Sequence, residues 1–131
     1  MRFVSTASAR EAAAMDTAAL RETFLVSGLF IPGELHMVLT ELDRLLIGSA
    51  VPLDGELRLD SQSEFGTEFF AQRREIGVFN LGGSGSVTVD AQVYELDRLD
   101  CLYIGKGHRQ IAFDSADTGR SARFFFASCP A

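Results

Sequence analysis

Few side chains in this sequence are placed to do chemistry. His108 lies in Gly105-Lys106-Gly107-His108-Arg109-Gln110, a tight glycine turn that leads into a strand. Neutral imidazole in such a place can ligate a transition metal. His36, the other histidine, sits in an apolar segment, where a satisfied core or cavity histidine is the ordinary reading. Arg73-Arg74-Glu75 sets a carboxylate beside guanidinium groups. Strand alternation puts Arg73, Glu75, Gly77 and Phe79 on one face. If that face points inward, Glu75 can act as a general base and Arg73 can grip a substrate carboxylate. The same two residues can instead form a structural ion pair that specifies the fold without doing chemistry. Tyr103 and Lys106 are further polar candidates. Cys101 and Cys129 form no Cys-x-x-Cys and read as two free, buried thiols. Two histidines in unrelated segments allow no serine–histidine–acid arrangement.

These groups must be carried by strands. After Phe24 the chain is a series of short apolar segments punctuated by Gly, Pro, Asp and Ser: FLVSGLFI, LHMVLTEL, RLLIGSAVPL, LRLD, REIGVFNLGG, SVTVD, QVYELD, CLYIG, RQIAF and ARFFFAS. Even spacing of many short strands predicts a sandwich or small barrel. In SVTVD, Val87 and Val89 share one face while Ser86 and Thr88 share the other, the antiparallel pattern of one dry and one wet face. GVFNL and RFFFA are apolar on both faces: Val78 opposes Phe79, and Phe124 and Phe126 oppose Phe125. Such strands need cover on both sides, so a partner surface is expected. Leu81-Gly82-Gly83-Ser84-Gly85-Ser86 precedes a strand rather than a helix, which predicts a hairpin turn and not a phosphate loop. Residues 8–22 predict helix. Ser8 and Glu11 fit a capping box, and Asp16 with Thr17 offers a second start, so the arm divides into two short helices.

The totals narrow the function. One domain of 131 residues can bury its own core. A net charge of −6 argues against a polyanionic partner such as nucleic acid, and any anionic substrate would need local arginines. The N-terminus lacks the apolar stretch of a signal peptide, and no apolar run is long enough to span a membrane. A cytoplasmic protein is expected.

The order of Glu75, Val87-Thr88-Val89-Asp90, Tyr94, Leu96 and Asp100 resembles the cupin barrel. The stretches LRETFLVSGLF, MVLTELDRLLIGSAVPL, RREIGVFNLGGSGSVTVD, LYIGKG and DTGRSARFF are similar, more specifically, to the 5-dehydro-4-deoxy-D-glucuronate isomerases, the ketol-isomerases of pectin breakdown. The likeness runs from about Asp16 to Ala131 and covers only the first half of a two-cupin protein. It implies an all-β, cupin-like β-sandwich or barrel (double-stranded β-helix) over residues 24–131, preceded by a helical arm over residues 1–23.

The resemblance also implies where a metal would sit. A cupin site uses His-x-His, a glutamate, and a last histidine beyond the glycine turn. Here Glu68-Phe69-Phe70-Ala71 stands at the first place and Gln110 at the last, and His108 comes two residues early. Only Glu75 remains, and one carboxylate does not hold a transition metal. No metal and no cofactor is therefore expected in this chain; the family's divalent metal, zinc, belongs to its second half. Ketol isomerisation needs a base and an electrophile. Arg73 and Glu75 are the substrate-binding candidates, and no catalytic residue is assigned. The implied partners are a homo-oligomer (hexamers in the family), the C-terminal half of the same enzyme, and a small sugar-acid substrate. The expected role is scaffold and assembly surface. The alternatives are a metal-free cupin that binds a sugar acid and a pure oligomerisation domain.

Overall fold

A computed structural model describes residues Met1–Ala131. Ten strands form two sheets packed face to face: β1 (Arg2–Val4), β2 (Leu35–Thr40), β3 (Leu46–Ala50), β4 (Leu57–Arg58), β5 (Arg74–Asn80), β6 (Gly85–Val89), β7 (Gln92–Leu96), β8 (Cys101–Ile104), β9 (Ile111–Ser115) and β10 (Phe124–Pro130). The larger sheet runs β1-β2-β3-β10-β5-β8, and the smaller runs β4-β9-β6-β7. All neighbours are antiparallel except β1 and β2. This is the all-β cupin sandwich expected of the sequence.

Alternation decides what goes inside. Val87 and Val89 on β6 are buried, while Ser86 and Thr88 are partly exposed. On β5 and β10, Ile76, Val78, Phe124 and Phe126 face the smaller sheet. Opposite them, Phe125 pairs with Phe79 across the strands, rings 6.4 Å apart. Phe79 is 43% exposed. The doubly apolar strands thus leave an uncovered outer face on the larger sheet.

The arm carries both predicted caps. Ser8 and Glu11 form a reciprocal capping box on α1 (Ala9–Ala13). The Asp16 carboxylate accepts the Ala19 amide (2.8 Å) at the start of α2 (Thr17–Phe24). Two features depart from expectation. Arg2–Val4 is not helical; it adds in parallel to the edge of β2. FLVSGLFI is not a strand: Gly28 takes φ +68°, and the segment crosses the outer face of the larger sheet, where the Leu29 carbonyl accepts the Ser49 hydroxyl.

The glycine stretch is also corrected. β5 and β6 lie in different sheets, so residues 81–84 form a crossover rather than a hairpin. Its glycines serve close approach. A Cβ on Gly83 would stand 1.9 Å from the Arg120 carbonyl oxygen, and one on Gly82 would stand 2.5 Å from the Arg123 nitrogen.

Candidate functional site

The interior of a cupin is where a ligand or metal would bind, and here it is packed with side chains. Phe113 stacks on Phe126 (5.7 Å, 13°) and tilts against Phe124 (5.2 Å), and all three rings are fully buried. Phe126 fits because Gly48 faces it. A Cβ on Gly48 would stand 2.3 Å from the ring. The cupin ligand positions do not fit a metal. Phe70 is a core ring in a short 3-10 turn, and Phe69 stacks with the Arg109 guanidinium at 4.7 Å. Gln110 is exposed, and its backbone N–H donates to Asp90 Oδ1. No group of three or more His, Cys, Asp or Glu side chains is gathered as a metal would require.

Glu75 does not face the interior either. Its neighbours Arg74 and Ile76 point to the core, which turns Glu75, Gly77 and Phe79 outward. Arg73 precedes the strand, with φ −135° and ψ 25°, so alternation does not reach it, and it forms no ion pair with Glu75. Instead the Tyr103 hydroxyl donates to Glu75 Oε2 (2.9 Å) and the Cys129 thiol to Glu75 Oε1 (3.5 Å). The hydrogen bond to Glu75 raises the Tyr103 pKa. Burial, then Glu75, pushes up the Cys129 thiol, so it stays protonated and is a poor nucleophile. Tyr103 is 68% exposed on this face, and Lys106 is exposed in the following turn. Both cysteines are free, but neither is buried as expected: Cys101 is exposed and Cys129 is half-buried.

His36 lies on the outer face, bonded to Glu34 (2.5 Å), and lines a cleft of about 640 Å³ with Arg2, Arg58 and Asp60. His108 is a hydrogen-bonded turn residue: its Nδ1 meets Asp90 Oδ2 at 2.8 Å, while Asp90 Oδ1 accepts the Arg109 and Gln110 amides. This fastens the glycine turn to the end of β6. The His108 contact first, then the backbone amides, hold the Asp90 carboxyl below its usual range. A depressed folded-state pKa stabilises the fold above the unfolded value, near about 4, and that stability is lost as pH falls through the folded value. Thermal melts from pH 7 to pH 2 should therefore show an acid-side loss that is smaller in Asp90→Asn. An unchanged slope in the variant would show that Asp90 has no part in it.

The guanidinium buried in the sheet is Arg74, not Arg73. It is 7% exposed, its stem packed in the core. Nε donates to Ser128 Oγ (3.1 Å), and Nη2 donates to the carbonyls of Arg44 (2.7 Å) and Ser128 (2.8 Å). The Phe65 ring lies under the guanidinium at 5.2 Å. Around Arg74 opens a recess of about 270 Å³, walled by Arg44, Arg73, Glu64, Phe65, Thr67 and Pro130. Burial first, then Arg44 nearby, lowers the Arg74 pKa. Of the sequence candidates, Arg73 is at this recess and Glu75 is not. Sequence reasoning missed Arg44 and Arg74. The one local signal was Asp43-Arg44, which occupies the positive-φ positions of a tight turn (φ 50° and 55°) where Asn-Gly is preferred.

No family model matches the chain. Curated relatives do. It is 48% identical over 109 residues to the 4-deoxy-L-threo-5-hexosulose-uronate ketol-isomerase of Halalkalibacterium halodurans, covering 83% of this chain and 40% of that protein. It is 42% identical over all 131 residues to the enzyme of that name from Lachnoclostridium phytofermentans, covering 48% of it. The Escherichia coli protein of that name is 40% identical over 119 residues, 89% of this chain and 43% of that one. Among solved structures, the cupin domain of Schizosaccharomyces pombe Cnp3 aligns with a TM-score of 0.58 at 13% identity, covering 80% of this chain and 70% of that one. The Cupin_2 domain of an XRE family transcriptional regulator from Enterobacter cloacae aligns at 0.56 and 11%, covering 73% and 94%. Those identities speak for the fold alone. The chain spans about half the length of the curated relatives it matches. It is therefore homologous to about half of a 4-deoxy-L-threo-5-hexosulose-uronate ketol-isomerase, and it carries that homology on a cupin fold.

Proposed function

We propose that this chain is the N-terminal, scaffold half of a ketol-isomerase that interconverts 5-dehydro-4-deoxy-D-glucuronate and 3-deoxy-D-glycero-2,5-hexodiulosonate. The divalent metal, zinc, belongs to the other half, and the setting is cytoplasmic breakdown of pectin-derived uronates. The observation that carries this is the interior: Phe113, Phe124 and Phe126 fill the space where a cupin would hold a ligand. The half-length homology supports it. The assembly surface is the outer face of the larger sheet, where Phe79 is exposed and Phe125 half-buried. A homo-oligomer, a hexamer in the joined protein, would cover it.

The experiment is an isomerase assay of residues 1–131, with and without added zinc, beside the chain fused to the C-terminal half of a relative. The chain alone should show no enzyme-like rate. An electrophile worth several kcal/mol is missing, and each ~1.4 kcal/mol is a factor of ten. The fusion should turn over and run as an oligomer on light scattering. Full turnover by the chain alone, abolished by Glu75→Gln, would overturn the scaffold reading. So would a folded but inactive fusion.

A second reading, a metal-free cupin that binds a small acid, is favoured by one observation: the arginine recess.

A further inference from the structure

We infer that the recess between the β2–β3 turn, the Ser63–Phe65 turn and the start of β5 is a binding site for a small, hydroxylated monocarboxylate. Nothing in the half-length homology assigns a site here, and the inference stands whether or not the chain is part of an isomerase.

The first ground is uncompensated charge. Arg44, Arg73 and Arg74 meet at one cavity with a single carboxylate, Glu64. The ion pairs of the protein are all elsewhere: Glu34–His36, Glu56–Arg58, Asp90–His108 and Glu68–Arg109. Three arginines against one glutamate give the lining a formal charge of +2 in a chain whose net charge is −6. Clustering like charges is costly unless an anion joins them.

The second ground is Arg74 itself. It is more than nine-tenths buried, and Nε and Nη2 are spent on Ser128 and Arg44. Nη1 has no partner in the protein, yet it is not sealed off from solvent, since no buried side-chain nitrogen or oxygen lacks a partner. It is therefore open to the recess that Arg74 lines. The Phe65 ring and the three hydrogen bonds fix the guanidinium plane. With Nε and Nη2 committed, Nη1 is left as one fixed, charged donor to a single carboxylate oxygen.

The third ground is the turn that brings Arg44. Its φ of +55° suits glycine, and an arginine there is strained. The strain is held in place because the Arg44 carbonyl is an acceptor for Arg74. A strained residue that lines a cavity fits a functional position better than a structural one.

The rest of the lining sets the class of ligand. Glu64 would repel a dianion such as phosphate but accepts hydroxyl hydrogen bonds. Thr67, already linked to Ser61 (2.7 Å), can share its hydroxyl. Leu39, Phe65 and Pro130 offer an apolar wall to C–H groups. Carboxylate at the arginines, hydroxyls at Glu64 and Thr67, and a carbon face on the wall describe a small hydroxy acid.

The test is calorimetric titration of residues 1–131 at low salt with D-glucuronate, glucose, acetate and inorganic phosphate. Glucuronate should bind saturably, acetate more weakly and glucose not at all. Arg44→Gly removes one guanidinium and relieves the turn, so it should weaken glucuronate binding by about tenfold or more while the melting temperature holds or rises. Arg73→Gln should weaken it similarly. Binding that survives both substitutions, or no saturable binding of glucuronate, overturns the site. Phosphate binding as tightly as glucuronate overturns the assigned class and makes the recess an unselective cationic patch. Should Arg44→Gly lower the melting temperature, Arg44 serves the fold and the strain argument falls.

Discussion

Phe126→Ala should cost about 3–5 kcal/mol of folding stability, read as a shifted urea midpoint with little change in slope. The ring is fully buried, stacked on Phe113, and lies where Gly48 leaves no Cβ. Its removal opens a void at the centre of the sandwich. The cleared space cannot collapse easily, because β3 and β5 flank β10 on both sides and hold the strand in register. Gly48→Ala attacks the same contact from the other side by driving a methyl into the ring, and should cost about 1–3 kcal/mol. A cupin whose interior is a working cavity would tolerate the loss of one ring, since its interior is already hollow. A cost under about 1 kcal/mol for Phe126→Ala would therefore contradict the filled-interior reading and reopen the barrel as a binding site.

Much of this architecture is legible from alternation alone. β6 shows its buried valines, and β5 and β10 show two apolar faces. The helix starts are legible because capping is local chemistry: Ser8, Glu11 and Asp16 do in the structure what their spacing says. Parity says which residues share a face and not which face is inside. Arg73 and Glu75 were candidates for an inward pair only on the condition that their face points in, and Arg74 and Ile76 take the inside instead. Arg74 enters it because its stem is apolar and its head finds Ser128 and the Arg44 carbonyl. The glycine stretch looked like a hairpin because a crossover between sheets uses the same small residues. Only the path of residues 120–123 against Gly82 and Gly83 distinguishes them. The recess draws on positions 44, 64–67, 73–74 and 130, which no local pattern connects.

Asn80→Asp should be among the most damaging single-atom changes in the protein. Asn80 is fully buried where that crossover leaves β5, and its amide uses its whole hydrogen-bonding capacity. Nδ2 donates to the carbonyls of Gly83 (2.8 Å) and Leu96 (2.9 Å), while Oδ1 accepts the amides of Gly82 (3.1 Å) and Arg123 (3.3 Å). One side chain thereby joins the crossover, the end of β7 and the approach to β10. Aspartate has nearly the same shape, so packing is conserved, but both donors vanish and a carboxylate oxygen faces two carbonyl oxygens away from water. A buried charge set against acceptors costs about 3–5 kcal/mol, corresponding to a fall in melting temperature on the order of 10 °C or more at pH 7. The sign of the pH dependence follows. The protonated carboxyl regains one donor, so the folded variant holds its proton more tightly than the unfolded chain. Its deficit relative to the parent should therefore shrink as pH falls from 7 towards about 4. Asn80→Ala, which removes the partners without adding charge, should lack that recovery. If Asn80→Asp melts within a few degrees of the parent at pH 7, Asn80 is not the clasp of the crossover.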